Sequence, residues 1–151
     1  MARRLSSIIL SSLTLVGLTA CPQRTAVWVI QPATTDSLVF VLGRTKGKEE
    51  PVRFYYLAVE ACASGSAQQG ARFWMIGERA SGAPTVNPTR VRYGEVPPGF
   101  ELRGSTQSLT AGCYVARTGG SGSVRFDVTP TGAVVEEAGR QRPALSAESV
   151  P

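Results

Sequence analysis

The side chains that could carry chemistry in this 151-residue chain are three cysteines and a modest set of carboxylates, with no histidine among them. Cys21, Cys62 and Cys113 could bind a metal, act as nucleophiles or form a disulfide. Without histidine the commonest general base is missing, so a Ser–His–Asp triad and a Cys–His pair are excluded and a zinc site is disfavoured. We therefore expect no enzyme activity and no cofactor.

Paired carboxylates are the remaining catalytic device, since two of them can hydrolyse a glycosidic bond. Asp36, Asp127 and Glu136 fall in turns or at outward strand positions. Glu60 is the most distinctive carboxylate, because it follows Phe54 and other apolar residues on one face of a strand pattern. We favour a glutamate that reaches solvent or an arginine; an acid in a cleft is the alternative.

The first 20 residues are organised like a secretory signal peptide. Arg3 and Arg4 form a basic start, and the apolar stretch "SSIILSSLTLVGL" (residues 6–18) follows them. This stretch is shorter than the roughly 20 apolar residues that a membrane-spanning helix needs. A basic start, a short apolar segment and small residues before a cut predict export and removal of the segment.

The string Leu18-Thr19-Ala20-Cys21 resembles the lipobox of bacterial lipoproteins. The resemblance implies that Cys21 becomes the N-terminus and carries acyl chains, palmitate among them, that hold the protein on a membrane. An ordinary signal-peptide cut nearby is the alternative. Pro22 stands where an aspartate is associated with inner-membrane retention, which favours the outer membrane or periplasmic face. We expect an extracytoplasmic protein of the bacterial cell envelope.

Export changes the interpretation of the other two cysteines. Cys62 and Cys113 would meet an oxidising compartment, where a pair of thiols normally becomes a disulfide. Because Cys21 uses its sulfur for lipid, the remaining number of cysteines is even. A two-cysteine metal site or a catalytic thiol is the disfavoured alternative.

The charge of the chain is mildly basic. The formal net charge is +5, and two of its cations, Arg3 and Arg4, leave with the signal peptide. So small an excess does not indicate a nucleic-acid partner.

The rest of the chain is patterned as strands. Short segments rich in Val, aromatic and β-branched residues alternate with Gly, Pro, Ser and Asn, and no segment repeats its apolar residues at helical spacing. The predicted strands cover residues 26–31, 38–43, 52–61, 71–77, 89–94, 112–117, 123–128 and 133–136. This pattern predicts an all-β domain, a small sandwich of about 7–8 antiparallel strands, over residues 26–137. Residues 1–20 would be the signal peptide, 21–25 a tether and 138–151 a disordered tail.

The segment "LTAGCY" (residues 109–114) resembles the tyrosine corner of immunoglobulin-like and fibronectin-type sandwiches. The resemblance implies that the Tyr114 hydroxyl bonds to backbone just upstream at the start of strand F. Strand C, residues 52–61, would then lie antiparallel beside F, so that Cys62 meets Cys113. Cys113 directly precedes Tyr114 and faces the opposite way, unlike the inter-sheet cysteine of antibody domains.

Arginines and tyrosines provide the candidate ligand site. Several fall on or beside strands, where guanidinium and aromatic groups on an exposed face could bind anionic polymers or sugars. Solvated arginines paired with scattered glutamates are the favoured alternative. The candidate residues are Arg53, Tyr55, Arg72, Arg92 and Tyr93.

Buried aromatic residues are expected in the core, namely Trp28, Phe40, Phe54, Phe73 and Phe126. The loop of residues 93–104 contains Pro97-Pro98 and Phe100, and we favour a crossover in which Phe100 plugs the sandwich over a rigid recognition loop.

Together these features predict a lipid-anchored, non-catalytic β-sandwich module that binds an envelope protein. A binder of anionic polymer or carbohydrate is the alternative function.

Overall fold

The computed structural model describes residues 25–63, 70–81, 87–119 and 122–137. The predicted signal peptide, Cys21 and the predicted tail lie outside these residues. The strands are β1 (Ala26–Val29), β2 (Ala33–Thr34), β3 (Val39–Gly43), β4 (Tyr56–Ala61), β5 (Arg72–Glu78), β6 (Arg90–Arg92), β7 (Phe100–Leu102), β8 (Gly112–Thr118), β9 (Ser123–Val128) and β10 (Ala133–Glu136). A single 3₁₀ turn, Thr35–Ser37, follows β2. No helix in the described part of the chain is long and apolar enough to cross a bilayer.

The strands form two antiparallel sheets that enclose one core. The smaller sheet has the order β1-β3-β6, and the larger has the order β2-β10-β9-β8-β4-β5-β7. If β1, β3 and β6 are strands A, B and E, then β5, β4, β8 and β9 are C′, C, F and G. This is the strand order of an immunoglobulin-like sandwich. The all-β fold class is therefore confirmed, and the extra short strands β2, β7 and β10 extend the larger sheet.

The alternation of side chains explains why these segments pair as they do. In β9, Val124, Phe126 and Val128 are buried while the residues between them are exposed. A strand with this period must lay one face on a core, because successive side chains point to opposite sides. Strand β4 is different, since Leu57 to Glu60 are all buried, as expected at the centre of a seven-stranded sheet.

Aromatic side chains fill the space between the sheets. Phe40 lies near Trp74 and Phe126, with ring centroids 6.4 and 6.0 Å apart. Phe100 is fully buried and stacks on Phe54 at 4.8 Å, so the interpretation of Phe100 as a plug is confirmed. Trp28 differs from the expectation, because it is only half-buried on the edge strand β1.

The tyrosine corner is present at the start of β8. The Tyr114 hydroxyl donates to the Thr110 carbonyl oxygen at 2.9 Å and lies 3.1 Å from the Thr110 backbone N–H, which donates to it. The ring packs edge-on against Phe73 and stacks on Phe126. These contacts fix the direction in which the chain enters β8 and so place Cys113.

Candidate functional site

Cys62 and Cys113 are joined by a disulfide in this structure. Cys62 follows the last residue of β4, and Cys113 is the second residue of β8. The two strands pair antiparallel with Ala61 opposite Tyr114, and the Cys62 N–H donates to the Cys113 carbonyl oxygen at 2.9 Å. The Cα atoms are 5.3 Å apart, which is within the usual span of a disulfide. The bond therefore links neighbouring strands of the larger sheet, as the strand order predicted.

The outer face of the larger sheet carries a layer of charged side chains. Within this face, Ala58, Glu60 and Val115 are buried although they lie outside the hydrophobic core. Glu60 is opposite Arg72 on β5 and Val115 on β8, and a second arginine, Arg117, lies two residues beyond Val115 on β8. Long arginine stems can shield such positions while their guanidinium groups stay in water.

Glu60 forms ion pairs with two arginines on neighbouring strands. Both Nε and Nη2 of Arg72 donate to its Oε1 at 3.2 Å. The Arg117 Nε lies 3.7 Å from its Oε2. Glu60 is only 5% exposed, yet its negative charge has an arginine partner on each neighbouring strand. The expectation that Glu60 reaches an arginine is confirmed.

Arg72, Arg103, Arg117 and Arg125 are all about half-exposed on this outer face. Each has a glutamate partner: Arg103 pairs with Glu101 at 3.5 Å, and Arg125 pairs with Glu137 at 3.5 Å. The face is therefore a mosaic of opposite charges. Each guanidinium group keeps further N–H donors on its solvent side, because the fork carries five of them.

The residues proposed as a ligand site do not form one cluster. Arg53 lies 5.2 Å from the centroid of the Tyr55 ring and pairs with Glu78 at 3.3 Å. Arg53 and Tyr55 lie just before β4, and Arg72 opens β5, so all three belong to the larger sheet. Arg92 instead ends β6 in the smaller sheet. Arg92 pairs with Glu95 at 3.6 Å. The structure thus divides the proposed set between two sheets and pairs each arginine with a carboxylate.

Tyr93, the last residue of the proposed ligand set, is held by contacts within the domain. Its hydroxyl donates to the Gln107 carbonyl oxygen at 2.6 Å, and its ring contacts Trp74 with a centroid distance of 5.3 Å. Burial, with a smaller contribution from Tyr114, raises the pKa of Tyr93 to about 12. The phenol is therefore neutral at physiological pH and holds the loop before β8 against the core.

Beside Tyr93 lies a polar cleft of about 280 Å³. Sequence reasoning missed it, because its lining comes from three segments far apart in the chain. The lining residues are Thr35, Asp36, Tyr93, Gly94, Thr106, Gln107, Ser108 and Leu109. Hydroxyl, amide and carboxylate groups predominate, so the cleft offers hydrogen bonds and no cation to a ligand.

No group of three or more His, Cys, Asp or Glu side chains that could hold a metal ion occurs among residues 25–63, 70–81, 87–119 and 122–137. No protein-family model, no curated protein and no solved structure matches this chain. The class of the protein therefore rests on its own fold and residues. It is an all-β sandwich in which a disulfide cross-links two neighbouring strands of the larger sheet.

Proposed function

We propose that this protein is a lipid-anchored, extracytoplasmic bacterial lipoprotein whose sandwich binds an envelope protein without catalysis. The disulfide between Cys62 and Cys113 carries the proposal. Such bonds persist in oxidising compartments and are rare in a reducing cytosol. The anchor itself is proposed from the lipobox-like string that ends at Cys21.

An edge strand supports a protein as the partner. Among the strands that the structure describes, β7 pairs with β5 alone, at the end of the larger sheet. Leu102 on β7 and Val96 in the preceding loop are 41% and 42% exposed. An unpaired edge with apolar side chains is suited to an added strand, because the partner's backbone completes the ladder.

Mass analysis of the membrane fraction tests the anchor. We expect an N-terminal peptide that begins at Cys21 and carries two or three acyl chains. Cys21→Ser should remove the acyl mass. Once the membranes have been treated to extract any uncleaved precursor, the variant should no longer be bound to them. An unmodified full-length chain in the cytoplasm would overturn the proposal.

Site-directed photo-crosslinking tests the partner. A crosslinker at Leu102 on β7 should give one adduct of defined size in intact cells. The same group at Thr131, in the exposed turn between β9 and β10, is the matched control and should give none. Adducts of equal yield at both positions, or none at Leu102, would exclude the β7 edge as the docking strand.

The second candidate function, binding of an anionic polymer or carbohydrate, is favoured by the outer face. Its half-exposed arginines present spare donors along neighbouring strands. The purified protein should bind a sulfated polysaccharide with an affinity that falls steeply with salt, and a neutral polysaccharide should not bind. Arg125→Gln should weaken binding, whereas Arg92→Gln on the smaller sheet should not. Equal effects of the two substitutions would exclude this face.

A further inference from the structure

One end of the sandwich is defined by the point at which β1 begins. Ala26 opens β1 opposite Gly43, which closes β3, and the Leu42 N–H donates to the Thr89 carbonyl oxygen just before β6. The residues that follow β3, including Arg44 and Lys48, therefore lie at this end. We call it the tether end, because it is where the chain from Cys21 enters the domain.

The larger sheet reaches the same end. A side chain on Gly122 would collide with the Thr25 backbone, so the turn before β9 abuts the start of β1. From there the register places the end of β8, the start of β4 and the end of β5 side by side. The Glu78 N–H, at the end of β5, donates to the Tyr55 carbonyl oxygen at 2.8 Å. Arg53, Tyr55 and Arg79 thus belong to the tether end.

Basic side chains outnumber carboxylates at the tether end. The basic residues that lie at this end or have a charged group held there are Arg44, Lys48, Arg53, Arg79, Arg90 and Arg103. The carboxylates are Glu49, Glu50, Glu78 and Glu101. Lys46 and Arg117 begin near this end, but their charged groups turn back to Glu136 and Glu60.

The charges without an ion-pair partner show the asymmetry most clearly. Within the described residues, Arg44 and Arg79 form no salt bridge, and both lie at the tether end. Asp36 and Asp127 likewise form none, and both lie at the opposite end, in the 3₁₀ turn before β3 and beside Cys113. The domain therefore presents unpaired positive charge where the chain from Cys21 arrives and unpaired negative charge at the far end.

Two further features point to a membrane surface at the tether end. Tyr55 is 56% exposed there, and a tyrosine ring with a polar tip suits the headgroup region of a bilayer. The chain from Cys21 to Thr25 can span at most about 14 Å when fully extended. An acylated Cys21 would thus hold this end within roughly two Debye lengths of the headgroups at physiological salt.

From this geometry we infer that the tether end is a docking surface for anionic phospholipid headgroups, which orients the sandwich with its Asp36 end away from the bilayer. The inference rests on the lipid anchor proposed above. Docking leaves the β7 edge at the side and the polar cleft beside Tyr93 facing outward, so that both stay accessible to partners while the protein is on its membrane.

A test can be made independent of acylation in cells. The chain that begins at residue 21 has one free thiol, because Cys62 and Cys113 are bonded to each other. Coupling Cys21 to a maleimide lipid attaches the domain to vesicles of phosphatidylcholine alone or with phosphatidylglycerol. Hydrogen exchange then reports on residues 44–50 at the tether end and on the turn of residues 129–132 at the far end.

We expect exchange at residues 44–50 to slow in the anionic vesicles only, and the far turn to be unchanged. Each basic residue near an anionic surface favours binding about fivefold, so Arg44→Gln with Arg79→Gln should weaken docking at least tenfold and restore fast exchange. Arg44→Lys with Arg79→Lys keeps the charge and should behave like the parent. Asp36→Asn with Asp127→Asn, which changes as many charges at the far end, should have little effect.

Equal exchange in the two kinds of vesicle would overturn the docking surface, as would equal effects of the arginine and aspartate pairs. Neither result bears on the anchor, which the mass of the Cys21 peptide from cells decides separately. Conversely, a chain that is not acylated in cells would overturn the lipid anchor, while the vesicle measurement would still report whether the tether end binds anionic headgroups.

Discussion

At the scale of single residues, the hydroxyl of Tyr114 makes a testable contribution to the fold. Tyr114 is buried and its hydroxyl bonds to both backbone groups of Thr110, so Tyr114→Phe leaves the Thr110 carbonyl and N–H without that partner. We expect the free energy of unfolding to fall by about 1–2 kcal/mol in urea titrations. The matched control is Tyr55→Phe, whose hydroxyl is at an exposed position, with an expected change near zero. Equal changes would contradict the assigned role of the corner.

Tyr93 predicts a dependence of stability on alkaline pH. Burial raises its pKa to about 12, above the value of about 10 for an exposed tyrosine in the unfolded chain. The folded state therefore holds the proton more tightly, and this contribution to stability is complete below pH 10 and is lost as the pH rises to about 12. Unfolding measured between pH 9 and 11 should show the decline, and it should be shallower in Tyr93→Phe. An unchanged slope would rule out Tyr93 as its source.

At the scale of elements, Glu60 joins three neighbouring strands through its two arginines. Glu60→Gln keeps the shape of the side chain but removes the charge that Arg72 and Arg117 share. Since both guanidinium groups are half-exposed and can hydrate, we expect a loss of only about 1–2 kcal/mol, less than for a fully buried pair. Thermal or urea unfolding measures it. Glu101→Gln, which breaks an exposed pair with Arg103, should cost less than about 0.5 kcal/mol.

The elements also show what the sequence could predict and why. The alternation in β9 and the position of Tyr114 are local patterns, and they predicted the bounds of β9 and the tyrosine corner directly. The strand predicted over residues 52–61 begins later, at Tyr56, because only pairing with β5 and β8 defines its start. The two-residue β2 and the three-residue β7 are too short to show a period, so only pairing with β10 and β5 reveals them. The grouping of Arg72, Arg117 and Arg125 depends on register between strands far apart in sequence, which no single segment displays.

At the scale of the whole molecule, the disulfide links distant parts of the chain at the centre of the larger sheet. Cys62 and Cys113 are 51 residues apart in sequence. Closing a loop of that size restricts the unfolded chain by an amount worth about 4 kcal/mol at 25 °C in the chain-entropy model. Small domains have a total stability of only about 5–15 kcal/mol, so the bond supplies a large share of it.

The reduced domain should accordingly be marginally stable, and this ties folding to the compartment. Added reductant should lower the urea midpoint of the parent strongly. The double variant Cys62→Ser with Cys113→Ser should have a urea midpoint near that of the reduced parent. Reductant should not change this midpoint, because no other cystine is present in the described residues. A parent midpoint that reductant does not move would show that packing alone supports the sandwich. If the midpoint does move, the domain reaches full stability only where thiols oxidise, which is the kind of compartment that the proposed export would reach.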